Sequence, residues 1–352
     1  MYLQTLVLQN FRSYKSQTFS FDDSFTAIIG PNTAGKTNLV EAISLLGMGK
    51  SFRIGQELQC IAFNKDVGRV GGIVAEGEEK TKLEITLISP TMQQGRFGKK
   101  FLVNGVVKTR TNFLGFLPVV IFHPEDLEII IDGPSLRRNF LDSILEQVDR
   151  AYAQAMLVYT KALRQRNALL DAVKKTSKRQ EKQFAYWDDL LIQNGSLITQ
   201  KRAAFLDFVT TSNKPLFDLS VAYDKSIMSY ERLLQYKDAE VASGLTLVGP
   251  HRDDFFVYLP EKEKKEIRLF GSRGQARLAV LQLKMLQITY MQQALGKTPL
   301  LVLDDIFSEL DSRHIQLVFA MVKGGQVILT TTHKEFLPKT KHDSYHVIEL
   351  GK

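Results

Sequence analysis

The stretch "AIIGPNTAGKTNLVEAISLL", Ala27 to Leu46, joins a short apolar strand to an apolar-periodic helix through a glycine-containing loop. We predict the strand over Phe25–Ile29 and the helix from Asn38. The loop fits the pattern G-x-x-x-x-G-K-[ST] in the strand–loop–helix setting that this pattern requires. In such a loop, backbone N–H groups surround phosphates, the lysine reaches the β and γ phosphates, and the last hydroxyl reaches Mg²⁺. The sequence therefore predicts ATP and Mg²⁺ as cofactors, bound by Gly30, Pro31, Asn32, Thr33, Ala34, Gly35, Lys36, Thr37 and Asn38.

A second stretch, "TPLLVLDDIFSELD" from Thr298 to Asp311, supplies acidic residues to the same kind of site. The apolar run from Leu300 to Leu303 is typical of a fully buried parallel strand, and ligands of open α/β sheets lie at the carboxyl ends of such strands. We expect Asp304 to hold Mg²⁺ directly or through water, and Asp305 to act as the base for an attacking water. The next strand, in "GQVILTTTHKEF", brings His333 to the same edge as a candidate γ-phosphate contact.

A third stretch, "LFGSRGQARLAV" from Leu269 to Val280, is a Gly/Ser turn that leads into an amphipathic helix beginning at Arg273. The free N–H groups and positive dipole end of a helix N-terminus attract anions. The P-loop lies far upstream in the sequence, so this turn predicts a second phosphate contact.

Composition limits the classes of protein to which the chain can belong. It has 352 residues, of which 44% are hydrophobic and 24% charged, with a formal net charge of +8. No apolar run approaches the roughly 20 residues that span a bilayer, and the start lacks the features of a secretory signal, so we expect a cytoplasmic protein with no membrane contact. The single cysteine, Cys60, excludes an intrachain disulfide and is expected to be buried.

The middle of the chain predicts a helical hairpin arm. Apolar residues recur at spacings of three and four from Ser135 to Val173, which predicts one long helix, and a polar break separates it from a second helix over Phe184–Val209. Between Lys161 and Arg202 there are ten Lys/Arg and four Asp/Glu, a local net charge of +6. Clustered positive charge is typical of phosphate-backbone binding, although a solvated helix face is the alternative. The candidate DNA-binding residues are Arg164, Arg166, Lys174, Lys175, Lys178, Arg179, Lys201 and Arg202.

The order of these motifs, GPNTAGKT, FGSRGQ, LLVLDD, SELD and TTTH, resembles the ABC-type ATPase heads of the branch that includes SMC proteins and the RecF family. The resemblance implies that Arg12 belongs to the ATP site. It also implies that the signature turn covers ATP held by a second subunit, so that two heads enclose two ATP molecules in an ATP-dependent homodimer. In that arrangement the signature residues are Ser272, Arg273, Gly274 and Gln275, and the segment that touches across the dimer includes Ser308 and Asp311.

Further stretches carry the resemblance to the RecF family over nearly the whole chain, among them "LVLQNFRSYKS", "FHPEDLEIIIDGPSLRRNFLD" and "VGPHRDDFFV". This resemblance implies a role in recombinational gap repair, double-stranded or gapped DNA as a ligand, and the mediator proteins RecR and RecO as partners. Two departures stand out. The glutamine that many ABC heads use to sense Mg²⁺ has no clear counterpart, and His123 to Asp126 occupies that region. Asp305 stands where a catalytic glutamate is usual, so we expect slow hydrolysis.

The predicted fold class is α/β, an ABC-type P-loop ATPase head with an inserted helical lobe and no long coiled coil. We expect residues 1–125 and 246–352 to form the ATP-binding lobe and residues 126–245 the helical arm lobe, with the signature helix over 273–294 packing with either. The favoured function is an ATP-gated DNA clamp with weak, DNA-stimulated ATPase activity that helps to load recombinase at single-strand gaps. A P-loop kinase for a small molecule and an SMC-like chromosome-organising head remain alternatives.

Overall fold

A computed structural model describes residues 1–53, 57–93, 95–179, 181–260, 265–306, 324–332, 335 and 346–351. The chain forms two compact units. Unit 1 comprises Met1–Asp126 and Lys284–Lys352, and unit 2 comprises Leu127–Leu283. The second boundary lies at Lys284 rather than at the predicted residue 246, and it falls inside the signature helix.

Unit 1 contains a five-stranded parallel sheet that positions the P-loop. Its strands, in chain order, are β3 (Phe25–Ile29), β8 (Val119–Phe122), β11 (Leu300–Asp304), β12 (Val327–Thr331) and β13 (His346–Glu349), and their order across the sheet is β13-β3-β12-β11-β8. β3, β8, β11 and β12 are apolar runs buried on both faces, as expected for parallel strands covered on each side. The predicted strands over Phe25–Ile29 and Leu300–Leu303 are confirmed.

A six-stranded antiparallel sheet forms the other layer of unit 1. Its order is β2-β1-β4-β5-β6-β7, with the strands β1 (Tyr2–Phe11), β2 (Tyr14–Ser20), β4 (Val67–Glu76), β5 (Glu79–Ile88), β6 (Gly98–Val103) and β7 (Val106–Lys108). Helix α1 (Lys36–Met48) contributes Leu39, Ile43 and Leu46 to a core that both sheets share. The short helix α2 (Arg110–Phe113) closes one end of this core with Phe113, which is 1% exposed. The helix that follows the P-loop is thus held by apolar packing on two sheets.

Unit 2 is mainly helical. Its longer helices are α4 (Pro134–Val148), α5 (Arg150–Thr176) and α6 (Glu181–Thr211), and α5 packs against α6 as a hairpin. The prediction of one continuous helix over Ser135–Val173 is wrong, because Asp149 interrupts it in an extended conformation and its side chain accepts a hydrogen bond from the N–H of Tyr152, capping α5. A capped break of one residue leaves the three-and-four spacing almost in phase, so periodicity alone does not reveal it.

The remainder of unit 2 lies beyond the predicted arm. It consists of the short helices α3 (Glu128–Ile131), α7 (Tyr230–Gln235), α8 (Lys237–Ser243) and α9 (Ile267–Phe270), the antiparallel pair β9 (Ser220–Asp224) and β10 (Asp254–Tyr258), and the first part of α10 (Arg273–Leu295). Because β10 pairs with β9, the chain after residue 245 continues in this unit. That pairing explains why the observed boundary is later than the predicted one.

Candidate functional site

The carboxyl ends of the parallel strands in unit 1 gather the candidate chemistry at one edge. β3 ends at Ile29 and leads into the P-loop, while Asp304 is the last residue of β11. Asp304 pairs with Thr330 on β12, and Leu303 pairs with Phe122 at the end of β8. His123, the residue after β8, therefore lies at the same edge of the sheet.

The P-loop adopts the backbone conformation that only a glycine accepts easily. Gly35 has φ of 97°, and a Cβ atom there would lie 2.7 Å from the hydroxyl oxygen of Tyr14. The Lys36 ammonium donates to the carbonyl oxygens of Gly30 at 2.7 Å and Pro31 at 3.0 Å, so its charge lies over the loop. Burial lowers the pKa of Lys36, against the opposing effect of Asp305 and Asp304. The loop thus presents backbone N–H groups and a partly desolvated cation, which suits a polyphosphate.

The acidic side of the site centres on Asp304, which is 3% exposed. Its Oδ1 accepts a hydrogen bond from the Thr330 hydroxyl at 2.6 Å, and the Thr37 hydroxyl also donates to this carboxylate. Burial raises the pKa of Asp304, which a cation beside it would counteract. The backbone N–H of Asp305 donates to the Thr330 hydroxyl at 3.1 Å, and Asp305 has a φ of 51°.

These residues fit Mg²⁺ bound together with nucleotide phosphates. Thr37 and Asp304, the two residues predicted to hold the metal, supply oxygen atoms that are in hydrogen-bond contact with each other. Within the described residues no group of three or more His, Cys, Asp or Glu side chains could hold a metal ion. Because Mg²⁺ keeps several waters and is commonly held by one or two carboxylates plus phosphates, such a sparse protein shell suits it.

Arg12 is held beside the P-loop helix by a residue that sequence reasoning missed. Its Nε and Nη2 atoms donate to the two carboxylate oxygens of Glu41, both at 2.7 Å. Glu41 is fully buried on α1 and also accepts from the Ser51 hydroxyl at 2.6 Å. Burial acts to raise the pKa of Glu41, but the hydrogen bonds from Arg12 and Ser51 outweigh burial and lower that pKa. A glutamate in an otherwise apolar stripe of α1 was the available signal, since a buried carboxylate requires a partner.

His123 is the second residue at the edge that was not assigned a role from sequence. Its Nε2 atom lies 3.2 Å from Oδ1 of Asp126, and the backbone N–H of His123 donates to the other carboxylate oxygen at 2.9 Å. The Lys284 ammonium lies 2.7 Å from the same Oδ1 and donates to the carbonyl oxygen of Ile121. Phe52 lies against the imidazole with 4.9 Å between ring centroids.

The signature turn in unit 2 is a capping box at the start of α10. The Ser272 hydroxyl accepts a hydrogen bond from the N–H of Gln275, and the Gln275 side-chain oxygen accepts one from the N–H of Ser272. Ser272, Arg273 and Gly274 are exposed, so the remaining N–H groups of the first turn face solvent. Two large apolar side chains precede the turn and are also exposed, Leu269 by 64% and Phe270 by 65%.

Two of the eight candidate DNA-binding residues are buried, and the prediction for them is contradicted. Arg166 is 0% exposed and its guanidinium contacts the carboxylates of Asp188 at 2.6 Å and Glu240 at 2.7 Å. Arg202 is 2% exposed and contacts Asp142 at 2.8 Å. Both therefore act as internal cations that hold unit 2 together, and neither is accessible to DNA phosphates in this fold.

The other six basic residues divide by their surroundings. Arg179 pairs with Glu181 and stacks over Phe184 at 3.8 Å. Lys201 pairs with Asp149 at 2.6 Å. Lys175 pairs with Asp171 one turn away, but both side chains are largely exposed, so this pair is weak. The residues whose charge faces solvent are Arg164, Lys174, Lys175 and Lys178.

Some predictions lie outside the described residues, namely those for Ser308, Asp311 and His333. Cys60 is buried and free, as expected. Across the described helices, none is both long and apolar enough to cross a membrane.

Comparison with known proteins gives a consistent family assignment. Residues 2–349 match the model of the RecF/RecN/SMC N-terminal domain. The chain is 36% identical to the DNA replication and repair protein RecF of Moorella thermoacetica, over 99% of this chain and 95% of that protein. It is 33% identical to the protein of the same name from Bacillus thuringiensis strain Al Hakam, over 94% and 92%.

Two solved structures of the recombination mediator protein RecF in the RecFOR pathway also match. The one described as RecF-ATP has a TM-score of 0.86 and 31% identity, covering 96% of this chain and 93% of the other. The one described as RecF-ATPrS has a TM-score of 0.85 at the same identity, covering 96% and 94%.

Proposed function

The chain belongs to the RecF/RecN/SMC N-terminal domain family of ABC-type ATPases, and we propose that it is an ATP-dependent DNA-binding protein of recombinational gap repair. In this role ATP closes two copies of the chain into a clamp on duplex or junction DNA, hydrolysis is slow and stimulated by DNA, and the clamp helps to load recombinase at single-strand gaps. The observation that carries the proposal is the set of two separate phosphate-binding elements: the P-loop with Lys36, Thr37 and Asp304, and the solvent-facing signature turn.

The chemistry of the P-loop edge supports ATP hydrolysis. Bound Mg²⁺ would offset phosphate charge, held by Thr37 and Asp304. Asp305 follows directly and is proposed as the base that orients an attacking water, with Lys36 stabilising charge on the phosphates. Because an aspartate is one methylene shorter than the usual glutamate, this base reaches less far, which supports slow turnover. His333 is proposed as a γ-phosphate contact on the basis of sequence alone.

The signature turn supports an ATP-dependent homodimer. Its capping box uses the Ser272 hydroxyl and the Gln275 amide within the chain, yet Arg273 and Gly274 still present a helix N-terminus to solvent. Leu269 and Phe270 add exposed apolar area beside it, which is more typical of an interaction surface than of an isolated monomer face. We propose that this surface covers ATP bound by the partner subunit, with the segment from Ser308 to Asp311 touching across the dimer.

The dimer is tested by measuring mass in solution, by light scattering after gel filtration, with and without ATP and Mg²⁺. Wild type is expected to double in mass with ATP, and Lys36→Ala to remain a monomer because it does not bind ATP. Ser272→Arg should bind ATP normally but stay monomeric, since bulk and charge are added at the contact surface.

The capping box makes a matched control necessary. Ser272→Ala removes the same cap, worth about 1 kcal/mol, without adding bulk, and it should still dimerise to a substantial extent. Equal loss of dimer in the Ala and Arg variants would assign Ser272 to helix capping only. A Ser272→Arg dimer of normal stability would contradict the composite site.

The solvent-facing basic residues on the hairpin support DNA binding by unit 2. Lys174, Lys175 and Lys178 lie together at the end of α5 and just beyond it. Such contacts neutralise backbone phosphates and carry no base information. We propose these three and Arg164 as the DNA contacts, together with weaker contributions from Arg179 and Lys201, whose charges are shared with neighbouring carboxylates. We also propose gap-edge DNA as the ligand and RecR and RecO as partners, and the description of the matched structures as part of the RecFOR pathway supports the two partners.

The DNA surface is tested by titrating binding over a range of salt. Changing Lys174, Lys175 and Lys178 together to Gln should flatten the log–log salt slope by up to about 2.7 units, at about 0.9 for each phosphate neutralised. The matched control removes three exposed lysines of unit 1, Lys65, Lys80 and Lys108, with the same change in net charge. Equal flattening in both triple variants would mean that only net charge matters, and no flattening in the first would place the DNA elsewhere.

A further inference from the structure

Among the residues that the structure describes, one nitrogen atom of the His123 imidazole has no hydrogen-bond partner. Nδ1 of His123 is buried from solvent and has no hydrogen-bond partner within the part of the chain that the structure describes. Buried polar atoms in folded proteins are almost always paired, so an unpaired one calls for an explanation such as a bound ion or water.

The hydrogen bond on the other side of the ring fixes the chemical character of Nδ1. Nε2 lies 3.2 Å from Oδ1 of Asp126, and a carboxylate can only accept, so Nε2 carries the proton. Burial lowers the pKa of His123, which favours the neutral ring. In a neutral imidazole with a protonated Nε2, Nδ1 presents a lone pair and acts as an acceptor. The unpaired atom therefore requires an N–H or O–H donor, and an anion could not satisfy it.

The ring is also held in place. Asp126, which is 6% exposed, is fixed by the backbone N–H of His123 at 2.9 Å and by the Lys284 ammonium at 2.7 Å. Phe52 packs on the ring at 4.9 Å between centroids. An imidazole oriented by a buried carboxylate and an aromatic neighbour keeps its free nitrogen pointing in one direction, which is the arrangement that supports a ligand shell.

The surroundings indicate which donor Nδ1 would meet. His123 follows β8 at the edge where Asp304 ends β11, and the two side chains are close enough for each to affect the pKa of the other. Mg²⁺ prefers oxygen ligands and retains several of its waters, and those waters are strong hydrogen-bond donors. An imidazole nitrogen beside such an ion would thus contact a metal-bound water rather than the metal.

We infer that His123 is a positioning residue of the nucleotide site, whose Nδ1 accepts a hydrogen bond from a water bound to the nucleotide's Mg²⁺, while Asp126 and Lys284 orient the ring. This inference rests on the proposed ATP-binding function. It assigns His123 to the outer shell of the metal, in the region where the Mg²⁺-sensing glutamine of many ABC heads has no counterpart in this chain. Lys284 is a residue of α10, the helix that begins at the signature turn, so the same contact ties the metal shell to that helix.

The test compares nucleotide affinity with and without Mg²⁺, using a fluorescent non-hydrolysable ATP analogue. His123→Phe removes both nitrogens and keeps a ring against Phe52. Its affinity in EDTA should stay within about twofold of wild type, since the P-loop is intact. The extra affinity that Mg²⁺ confers should fall about fivefold, as expected for the loss of one hydrogen bond.

Two further variants separate a metal role from a structural one. His123→Gln can donate its amide N–H to Asp126 and offer its oxygen as an acceptor, so it should restore the Mg²⁺ effect to within about twofold. His346→Phe makes the same change in β13 at the opposite, amino edge of the sheet and should have no effect. The melting temperature of each protein without nucleotide reports on packing.

The outcomes are distinct. An unchanged Mg²⁺ effect in His123→Phe would overturn the inference, and so would an equal loss of affinity in EDTA and in Mg²⁺, which would show a purely structural role. If wild type failed to bind the analogue at all, the proposed function itself would be at fault.

Discussion

Replacing Arg202 with Met should destabilise unit 2 and leave the salt dependence of DNA binding unchanged. The guanidinium donates to the carboxylates of Asp142 at 2.8 Å and Asp253 at 3.1 Å, and to the carbonyl oxygen of Pro250 at 2.7 Å. Asp253 is 0% exposed, so the substitution leaves a buried carboxylate without its cation. Breaking a buried pair in this way costs about 3–5 kcal/mol.

The assay is urea unfolding followed by the fluorescence of Trp187, the single tryptophan of the chain, which lies on α6 and so reports on unit 2. With an m value of about 2 kcal/mol/M, the expected loss lowers the urea midpoint by about 2 M. Lys201→Met is the matched control. Lys201 is the residue before Arg202, its side chain is 40% exposed, and its ammonium pairs with Asp149 at the surface. An exposed pair contributes about 0.2–1 kcal/mol, so the control midpoint should move by less than about 0.5 M.

The salt titration then decides between an internal cation and a DNA contact. Under conditions where the variant remains folded, Arg202→Met should show the wild-type slope, whereas loss of a phosphate contact would flatten it by about 0.9. A midpoint close to that of wild type together with a flatter slope would refute the assignment of Arg202 to the interior.

Three other predictions concern the nucleotide site and the pH dependence of unit 2. Asp305→Asn should bind ATP, hydrolyse it at least tenfold more slowly and prolong the dimer, whereas Asp304→Asn should weaken Mg²⁺-dependent binding itself; equal defects in binding and turnover assays would contradict the division of roles. Gly35→Ala should reduce ATP affinity at least tenfold in a binding titration, and adding Tyr14→Phe should not restore it, because the positive φ remains unfavourable for alanine; full rescue would assign the defect to the Tyr14 contact alone. Burial lowers the pKa of His251 from 6.5 to about 4. Between these pH values the unfolded chain binds a proton at His251 that the folded unit does not bind, so the stability of unit 2 should fall as pH decreases from about 6.5 towards 4. Since His251 is the one histidine in Leu127–Leu283, His251→Gln should show a smaller fall in the fluorescence-detected midpoint, and parallel pH profiles would exclude this origin.

The sequence determined those features of the fold that depend on local pattern. The P-loop and its flanks fixed β3 and the helix that follows, because a glycine at positive φ and a lysine at a set spacing have few structural alternatives. The apolar run before Asp304 identified a parallel strand, since only a strand covered on both faces is apolar at every position. The start of α10 at Arg273 was readable from the Gly/Ser turn that precedes an amphipathic run, and the capping box found there in the structure is likewise a local interaction.

The tertiary structure decided which charges face water. Arg164 and Arg166 are two residues apart on the same helix, and composition does not distinguish them, yet one is exposed and the other is buried between Asp188 and Glu240. Their difference depends on carboxylates that are distant in sequence and meet the helix only after folding. The same holds in part for His123: Asp126 lies three residues away, but Phe52 and Lys284, which also hold the ring and its carboxylate, come from distant segments. Local pattern specifies backbone geometry, whereas ionic pairing and the orientation of a side chain depend on long-range contacts. For that reason only the tertiary structure separates the internal cations from the candidate DNA surface.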